Sequence, residues 1–159
     1  MSTQETKGDD VRIVEAPYGS ELYRRALVLR EAILRAPLGL ALTPQEQADD
    51  AGRRHFCALS GGVVVGSVSF EPLDAKTAQL RQMAVAAGRR HQGIAARLLS
   101  HGEVWAYENG YRLIVLHARL GADGFYARFG YRTQGEPFDE HTVPHILMIK
   151  RLVPRPESA

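Results

Sequence analysis

The sequence predicts a mixed α/β domain, and three stretches carry that expectation. Val11-Arg-Ile-Val-Glu15 alternates apolar and polar residues with the period of a strand. Arg54 to Leu59 and Val63 to Phe70 flank Ser60-Gly61-Gly62 and form a β-hairpin with a glycine turn. Gln79-Leu-Arg-Gln-Met-Ala-Val85 continues through the basic turn Ala86 to Gly93 into the apolar-striped run Ile94-Ala-Ala-Arg-Leu-Leu99, a strand leading into a helix.

The remaining elements follow in order. Ser20 after Gly19 is placed to cap a helix that presents Leu22, Ala26, Leu29 and Ile33 on one face, and Pro37 to Gly39 ends it. Thr43-Pro44-Gln45-Glu46 is a capping-box pattern with proline at the first helical position, predicting a short helix over 44–51. Leu73 to Lys76 makes a turn, and a longer strand spans Ala78 to Ala86. The next helix runs from about His91 to Asn109, with Ile94, Leu98, His101 and Trp105 along one stripe and Gly110 at its C-cap. Arg112 to His117 is a strand, Gly121 to Phe129 a short helix, and strands follow after Gly130 and at Val143 to Leu152.

At 159 residues the chain fits one domain that can bury a core without disulfides or metal. Residues 1–10 read as a disordered N-terminal tail, 11–152 as the single domain and 153–159 as a C-terminal tail. No signal-peptide core and no run of ~20 apolar residues is present, so no membrane partner is expected and a cytoplasmic location is the default. The formal charge of +2, with arginines paired locally at Arg53-Arg54 and Arg89-Arg90, suits local anion binding better than nucleic acid. A lone Cys57 rules out an intrachain disulfide.

The turn into the third helix reads as an anion cradle, because a helix start offers unpaired N–H groups and the positive end of its dipole. Gly88 and Gly93 have the spacing of a nucleoside-triphosphate loop, but Ile94-Ala95 replaces its lysine and hydroxyl. The dinucleotide GxGxxG pattern is absent as well. What remains, Arg90-xx-Gly93-x-Ala95, resembles the RxxGxG/A signature of the GCN5-related N-acetyltransferase (GNAT) superfamily. Phe125-Tyr126-Ala-Arg-Phe-Gly130-Tyr131 and the stretch Gly135 to Met148 also look like small bacterial single-domain members.

That resemblance, over roughly residues 11–152, implies an α/β (α+β) acyltransferase fold: a mixed, mostly antiparallel sheet splayed between strands 4 and 5, flanked by about four helices. It implies acetyl-CoA as acyl donor, its pyrophosphate on Arg90, His91, Gln92, Gly93, Ile94 and Ala95, and its pantetheine arm on the backbone of Met83, Ala84 and Val85. By the same resemblance Tyr126 is the general acid for the leaving thiolate. A phenol, with an ordinary pKa of ~10, keeps its proton at neutral pH beside a thiol of ~8.5. Alanine 122, Phe125 and Phe129 are expected on the core side of that helix, leaving Tyr126 toward one edge.

Two features depart from the family pattern. Arg119 stands where an amide commonly contacts the cofactor; a guanidinium can fork onto a phosphate or carboxylate there. The fourth strand offers Arg81 and Gln82 where a carboxylate base is common, which leaves Glu71, His117, Glu136, Glu140 and His145 open as the general base.

His141 and His145 are too far apart for one metal if their segment is extended, since four residues span roughly 13 Å; no metal is expected. No family pattern places a histidine to activate Cys57, so transfer is expected to be direct, although strand alternation puts His55 on the same face as Cys57. The expected activity is acetyl transfer from acetyl-CoA to a primary amine, with a small-molecule acceptor. A non-catalytic acyl-CoA sensor and a protein lysine or N-terminal acetyltransferase are the alternatives, and a homodimer is left open.

Overall fold

The structure is a computed structural model describing residues 10–154. Of the tails expected at 1–10 and 153–159, residues 1–9 and 155–159 lie outside the described residues. Seven strands hydrogen-bond in the order β1-β2-β3-β4-β5-β7-β6, with four α-helices between them. The chain groups into two compact units: one comprises the residues up to Glu71 with Gln82–Gly102, the other Pro72–Arg81 with the residues from Glu103 on.

In the first unit, β1 (Val11–Glu15) pairs antiparallel with β2 (Arg54–Ser60), and β2 with β3 (Val63–Pro72). The hairpin turn is Gly61-Gly62, with φ of 56° and 83°. Two successive positive φ angles match the right-handed twist of the strands, and glycine reaches them at no steric cost.

Helix α1 (Glu21–Arg30) starts as expected, with Ser20 Oγ accepting from Tyr23 N–H at 3.1 Å. Its buried face is Tyr23, Ala26 and Arg30, and the expected stripe of Leu22, Leu29 and Ile33 is only half-buried. The reason is polar. Asp50, fully buried, accepts from Tyr23 Oη at 2.6 Å, Arg30 Nη1 at 2.7 Å and Arg53 Nη1 at 3.0 Å, which turns Tyr23 and Arg30 inward. A buried carboxylate costs several kcal/mol unless so paired.

His55 is tied to the same knot, its Nε2 on the Asp50 carbonyl at 2.9 Å and its Nδ1 on Ser69 Oγ at 2.7 Å. The chain past α1 continues as a π-turn (Glu31–Arg35) and a 3-10 turn (Ala36–Leu38) before Gly39 stops it. Helix α2 (Pro44–Asp49) carries both bonds of its capping box, and Glu46 of that box also pairs with Arg35 at 2.6 Å.

β4 (Thr77–Val85) leads to α3 (Ile94–Glu108). Within the first unit α3 buries Ile94, Leu98, Leu99 and Gly102, whereas His101, expected in the stripe, is exposed. Small residues let the helix sit close: a Cβ on Gly102 would lie 2.2 Å from the Phe70 ring, and one on Gly66 would lie 2.9 Å from Ile94.

In the second unit the first half of β4 pairs parallel with β5 (Leu113–Arg119), β5 antiparallel with β7 (Val143–Arg151), and β7 with β6 (Arg132–Glu140). Asp74 Oδ1 accepts from the N–H groups of Lys76 and Thr77 and so folds the turn before β4. The last turn of α3 closes at Gly110, φ 93°, with Tyr111 N–H on Ala106 O and Gly110 N–H on Tyr107 O, the two bonds of a Schellman cap. Tyr131 is buried, donates to Glu103 Oε2 at 2.8 Å, and shares that carboxylate with Lys150.

The segment expected to run extended from His141 to His145 instead opens with a tight turn. His141 and Thr142 both have positive φ, 53° and 63°, and reverse the chain from β6 to β7. Among the described residues no three His, Cys, Asp or Glu side chains gather as a metal site.

Candidate active site

The first unit holds the turn and the strand expected to carry the acyl donor. After β4 the chain makes a 3-10 turn at Ala87–Arg89, Arg90 is extended, and His91 and Gly93 both take left-handed φ, 65° and 80°. Two left-handed residues curl the backbone just before α3, and Gly93 O accepts from Arg97 N–H at 3.0 Å to open the helix. The N–H groups of the first turn, Ile94 and Ala95 among them, have no intrahelical acceptor by helix geometry. Nothing lies within 4 Å of where a Gly93 Cβ would stand, so the space over the turn is open to a ligand.

Arg89 braces this turn, a role the sequence reading missed. Its Nε donates to Gln92 Oε1 at 2.7 Å, its Nη1 to Ser60 Oγ at 3.0 Å, and Asp10 lies 3.8 Å from Nη2. Gln92 therefore spends its side-chain oxygen inside the turn, while Arg90 and His91 point outward as exposed residues. The only signal in the sequence was the Arg89-Arg90 pair itself.

Met83, Ala84 and Val85 form the end of β4, with Ala84 buried and its neighbours half-buried. Just ahead of them Gln82 has φ 61°, a left-handed residue inside a strand. The β4 pairing with β5 has already stopped at Leu80↔Leu116. Among the described residues the β4–β5 register takes up nothing beyond that pair, and a carbonyl-binding N–H must be one left out of strand pairing. Glutamine gives no warning of a left-handed φ, so this irregularity was not legible beforehand.

Cys57, in the same unit, is fully buried, and burial pushes its thiol up to about 11. At neutral pH the thiol therefore stays protonated, and a thiol is not the nucleophilic form.

The second unit holds Tyr126 and Arg119. Helix α4 is only Asp123–Ala127, so the expected i, i+3, i+7 stripe does not run: Phe129 falls in the turn beyond and is 36% exposed, while Tyr126 is buried. This reverses the expected placement. The Tyr126 ring stands edge-on to Phe125 at 5.0 Å and to Tyr131 at 5.8 Å. Burial raises its phenol above the ordinary value, so the hydroxyl stays protonated and can donate.

Arg119 ends β5 half-buried, paired in register with His145. Strand alternation puts His117 and Arg119 on one face of the sheet, and the registers Arg119↔His145 and Phe138↔His145 bring His145 and Phe138 to that face too. There His117 Nδ1 meets Glu140 Oε1 at 2.7 Å, and the His117 ring stands edge-on to Phe138 at 5.0 Å. Burial alone would raise Glu140, but the His117 hydrogen bond and the charges of His117, His145 and Arg81 outweigh it and hold the carboxyl below its usual range.

Of the five residues left open as general base, three besides His117 have partners. Glu71 pairs with Arg53 at 3.3 Å in the first unit, and Glu136 is exposed on β6. His145 is buried and donates Nδ1–H to the Val143 carbonyl at 2.7 Å, and Glu140 is engaged by His117.

Comparison with known proteins agrees with this geometry. The model of the acetyltransferase (GNAT) family matches residues 18–131. An uncharacterized N-acetyltransferase of Bacillus subtilis, YitI, is 30% identical over 131 residues, covering 78% of this chain and 88% of its own. Among solved structures, a GNAT family acetyltransferase from Elizabethkingia anophelis with acetyl-CoA bound is 19% identical, with a TM-score of 0.70 over 91% of this chain and 99% of that one. An aminoglycoside 6'-N-acetyltransferase complexed with coenzyme A, also 19% identical, has a TM-score of 0.73 over 92% of this chain and 99% of that one. A mostly antiparallel sheet in which β4 and β5 pair parallel, a family model spanning most of the described fold, and a relative alike over most of both chains agree: the chain belongs to the acetyltransferase (GNAT) family.

Proposed function

We propose that the protein transfers the acetyl group of acetyl-CoA directly to a primary amine of a small molecule. The observation that carries this is the turn at His91 to Gly93, which is curled by two left-handed residues, open above Gly93 and continuous with the start of α3. Such a turn suits a pyrophosphate, which accepts hydrogen bonds from first-turn N–H groups and gains from the helix dipole. Arg90 adds a charged donor at its edge.

The Met83, Ala84 and Val85 backbone would hold the pantetheine arm and polarise the thioester carbonyl, in the stretch where β4 has left β5. Arg119 would bind an anionic group of donor or acceptor. Tyr126 would donate to sulfur as the C–S bond breaks and the C–N bond forms. A phenol raised by burial is a weaker acid than a thiol of ~8.5, so its contribution is a hydrogen bond to the developing thiolate before net proton transfer. The buried Cys57 supports direct transfer without an acyl-enzyme.

The test is calorimetric titration with acetyl-CoA and coenzyme A, followed by thiol release against small amines and lysine peptides in the same preparation. Binding with release by small amines is expected. Release by peptides alone would move the acceptor to proteins. Binding without any release would make the chain an acyl-CoA sensor, and absence of binding would overturn the assignment of Arg90 to Ala95.

A further inference from the structure

The amine acceptor of such a reaction reaches neutral pH as an ammonium ion, with no lone pair to attack a carbonyl. Some group must take its proton, and β4 presents Arg81 and Gln82 where a carboxylate would serve. We propose that His117 is the general base that takes this proton and that Glu140 is its positioning partner. The proposal rests on the acetyltransferase reading above.

Four observations carry it, all within the second unit. First, His117 is the first β5 residue beyond Leu116, the last to pair with β4, so it stands where the sheet opens. Second, its Nδ1 lies 2.7 Å from Glu140 Oε1. A carboxylate accepts, so Nδ1 carries the hydrogen and Nε2 holds the lone pair. No hydrogen bond to Nε2 occurs among the described residues, and the side chain is 34% exposed, so that lone pair can reach a solute.

Third, Phe138 stands edge-on to the His117 ring at 83° and lies over His145 at 26°, fixing the imidazole plane and walling one side with aromatic surface. An ammonium ion is attracted to such a surface. Fourth, an ion pair about one-third exposed adds little to stability, so holding the fold is a weak reason for this geometry.

The charged and titratable groups around His117 come from every neighbouring strand. They are Glu140 on β6, His145 on β7, Arg119 on its own strand, and Arg81 on β4, which acts on Glu140. Glu140 held below the usual carboxylate range stays anionic down to acid pH and keeps the Nδ1–H tautomer in place.

The proton bookkeeping closes. One ammonium proton passes to His117 Nε2, and the freed lone pair forms the C–N bond. As the C–S bond breaks, sulfur receives the electron pair and, with Tyr126 donating toward it, one proton, the nitrogen having lost its second. His117 then returns its proton to solvent, so each turnover releases one proton.

The experiment compares wild type, His117→Gln and Glu140→Gln, with phenethylamine, spermidine and 2,2,2-trifluoroethylamine as acceptors, the last largely unprotonated at neutral pH. Acetyl-CoA affinity is measured by calorimetry alongside. His117→Gln is expected to lower kcat for the basic amines about 10²- to 10⁴-fold, to erase the acid limb of the pH–rate profile, and to leave acetyl-CoA affinity within twofold.

With trifluoroethylamine the loss should be under tenfold. Glu140→Gln should lower kcat for the basic amines about tenfold while leaving the KM for the amine little changed. Both variants should keep the wild-type circular dichroism spectrum. If wild type turns over and His117→Gln retains its kcat and acid limb, the base assignment falls while the acetyltransferase stands. If wild type binds acetyl-CoA and acetylates none of the amines, the base assignment falls as well. If wild type fails to bind acetyl-CoA, both readings fall.

Discussion

Each unit of the molecule contains a carboxylate associated with a histidine, and the two are used in opposite ways. In the first unit Asp50 is fully buried and accepts from Tyr23, Arg30 and Arg53, while both nitrogens of His55 are occupied by the Asp50 carbonyl and Ser69. In the second unit Glu140 and His117 are each about one-third exposed, and only one imidazole nitrogen is engaged. With both Asp50 oxygens and both His55 nitrogens bonded, the first is a structural knot. The open nitrogen makes the second available for chemistry. The pairing of residue types says little about function until the remaining valences are counted.

The largest effect expected on the structural side of this contrast comes from Asp50→Ala. It leaves Arg30, 2% exposed, without its buried counter-charge and should cost about 3–5 kcal/mol in chemical denaturation. A loss below about 1 kcal/mol would show that the knot is not holding the unit. Gly102→Ala should be next, about 1–3 kcal/mol, since its Cβ would enter the Phe70 ring. A crystal structure of that variant should show the ring displaced.

Tyr126→Phe acts on chemistry instead. It should lower kcat about tenfold to a hundredfold with acetyl-CoA affinity and stability little changed; an equal fall in affinity would make Tyr126 a packing residue. Gly93→Val should weaken coenzyme A binding by about tenfold, because the backbone there is left-handed and a side chain would fill the open space above it. Unchanged affinity in the folded variant would dislodge the turn from the site.

The smallest effect is the pH dependence of stability, and its sign can be worked out. Burial alone would raise Asp50, but the Tyr23 and Arg30 hydrogen bonds overcome it and hold the group below its ordinary value. Its contribution is therefore present above the unfolded carboxylate range, ~3.9, and lost as pH falls through the lower folded value. Desolvation likewise lowers His55, so protonation of that ring favours the unfolded chain below ~6.5. Urea titrations of wild type should show stability falling with acid in both windows, and Asp50→Asn should flatten the lower one.

Much of the frame was legible because local chemistry announces it. Ser20 and Thr43 cap the helices they precede, Gly61-Gly62 turns the hairpin, and Gly110 closes α3. What escaped depended on partners distant in sequence. The inward face of α1 is set by Asp50, twenty residues beyond Arg30, and periodicity of apolar residues cannot see a polar knot. The close side of α3 uses Gly102, which carries no hydrophobic signal. Tyr126 went inward because α4 ends after five residues, too soon for a stripe to reach Phe129.

For the site, Gly93 was legible from its motif. Arg89's bracing role, the left-handed Gln82 and the His117–Glu140 contact were not. The last joins residues 23 apart in sequence through the β5–β7–β6 ladder, and no short window contains it.

The turn at His141-Thr142 sits immediately after Glu140 and holds two ordinary L-residues in left-handed conformations without a glycine. Each such residue costs about 1 kcal/mol or more relative to one that tolerates the conformation. For an engineer this is unclaimed thermal tolerance: an Asn-Gly graft at these two positions should raise the melting temperature by several degrees while leaving every strand residue in place.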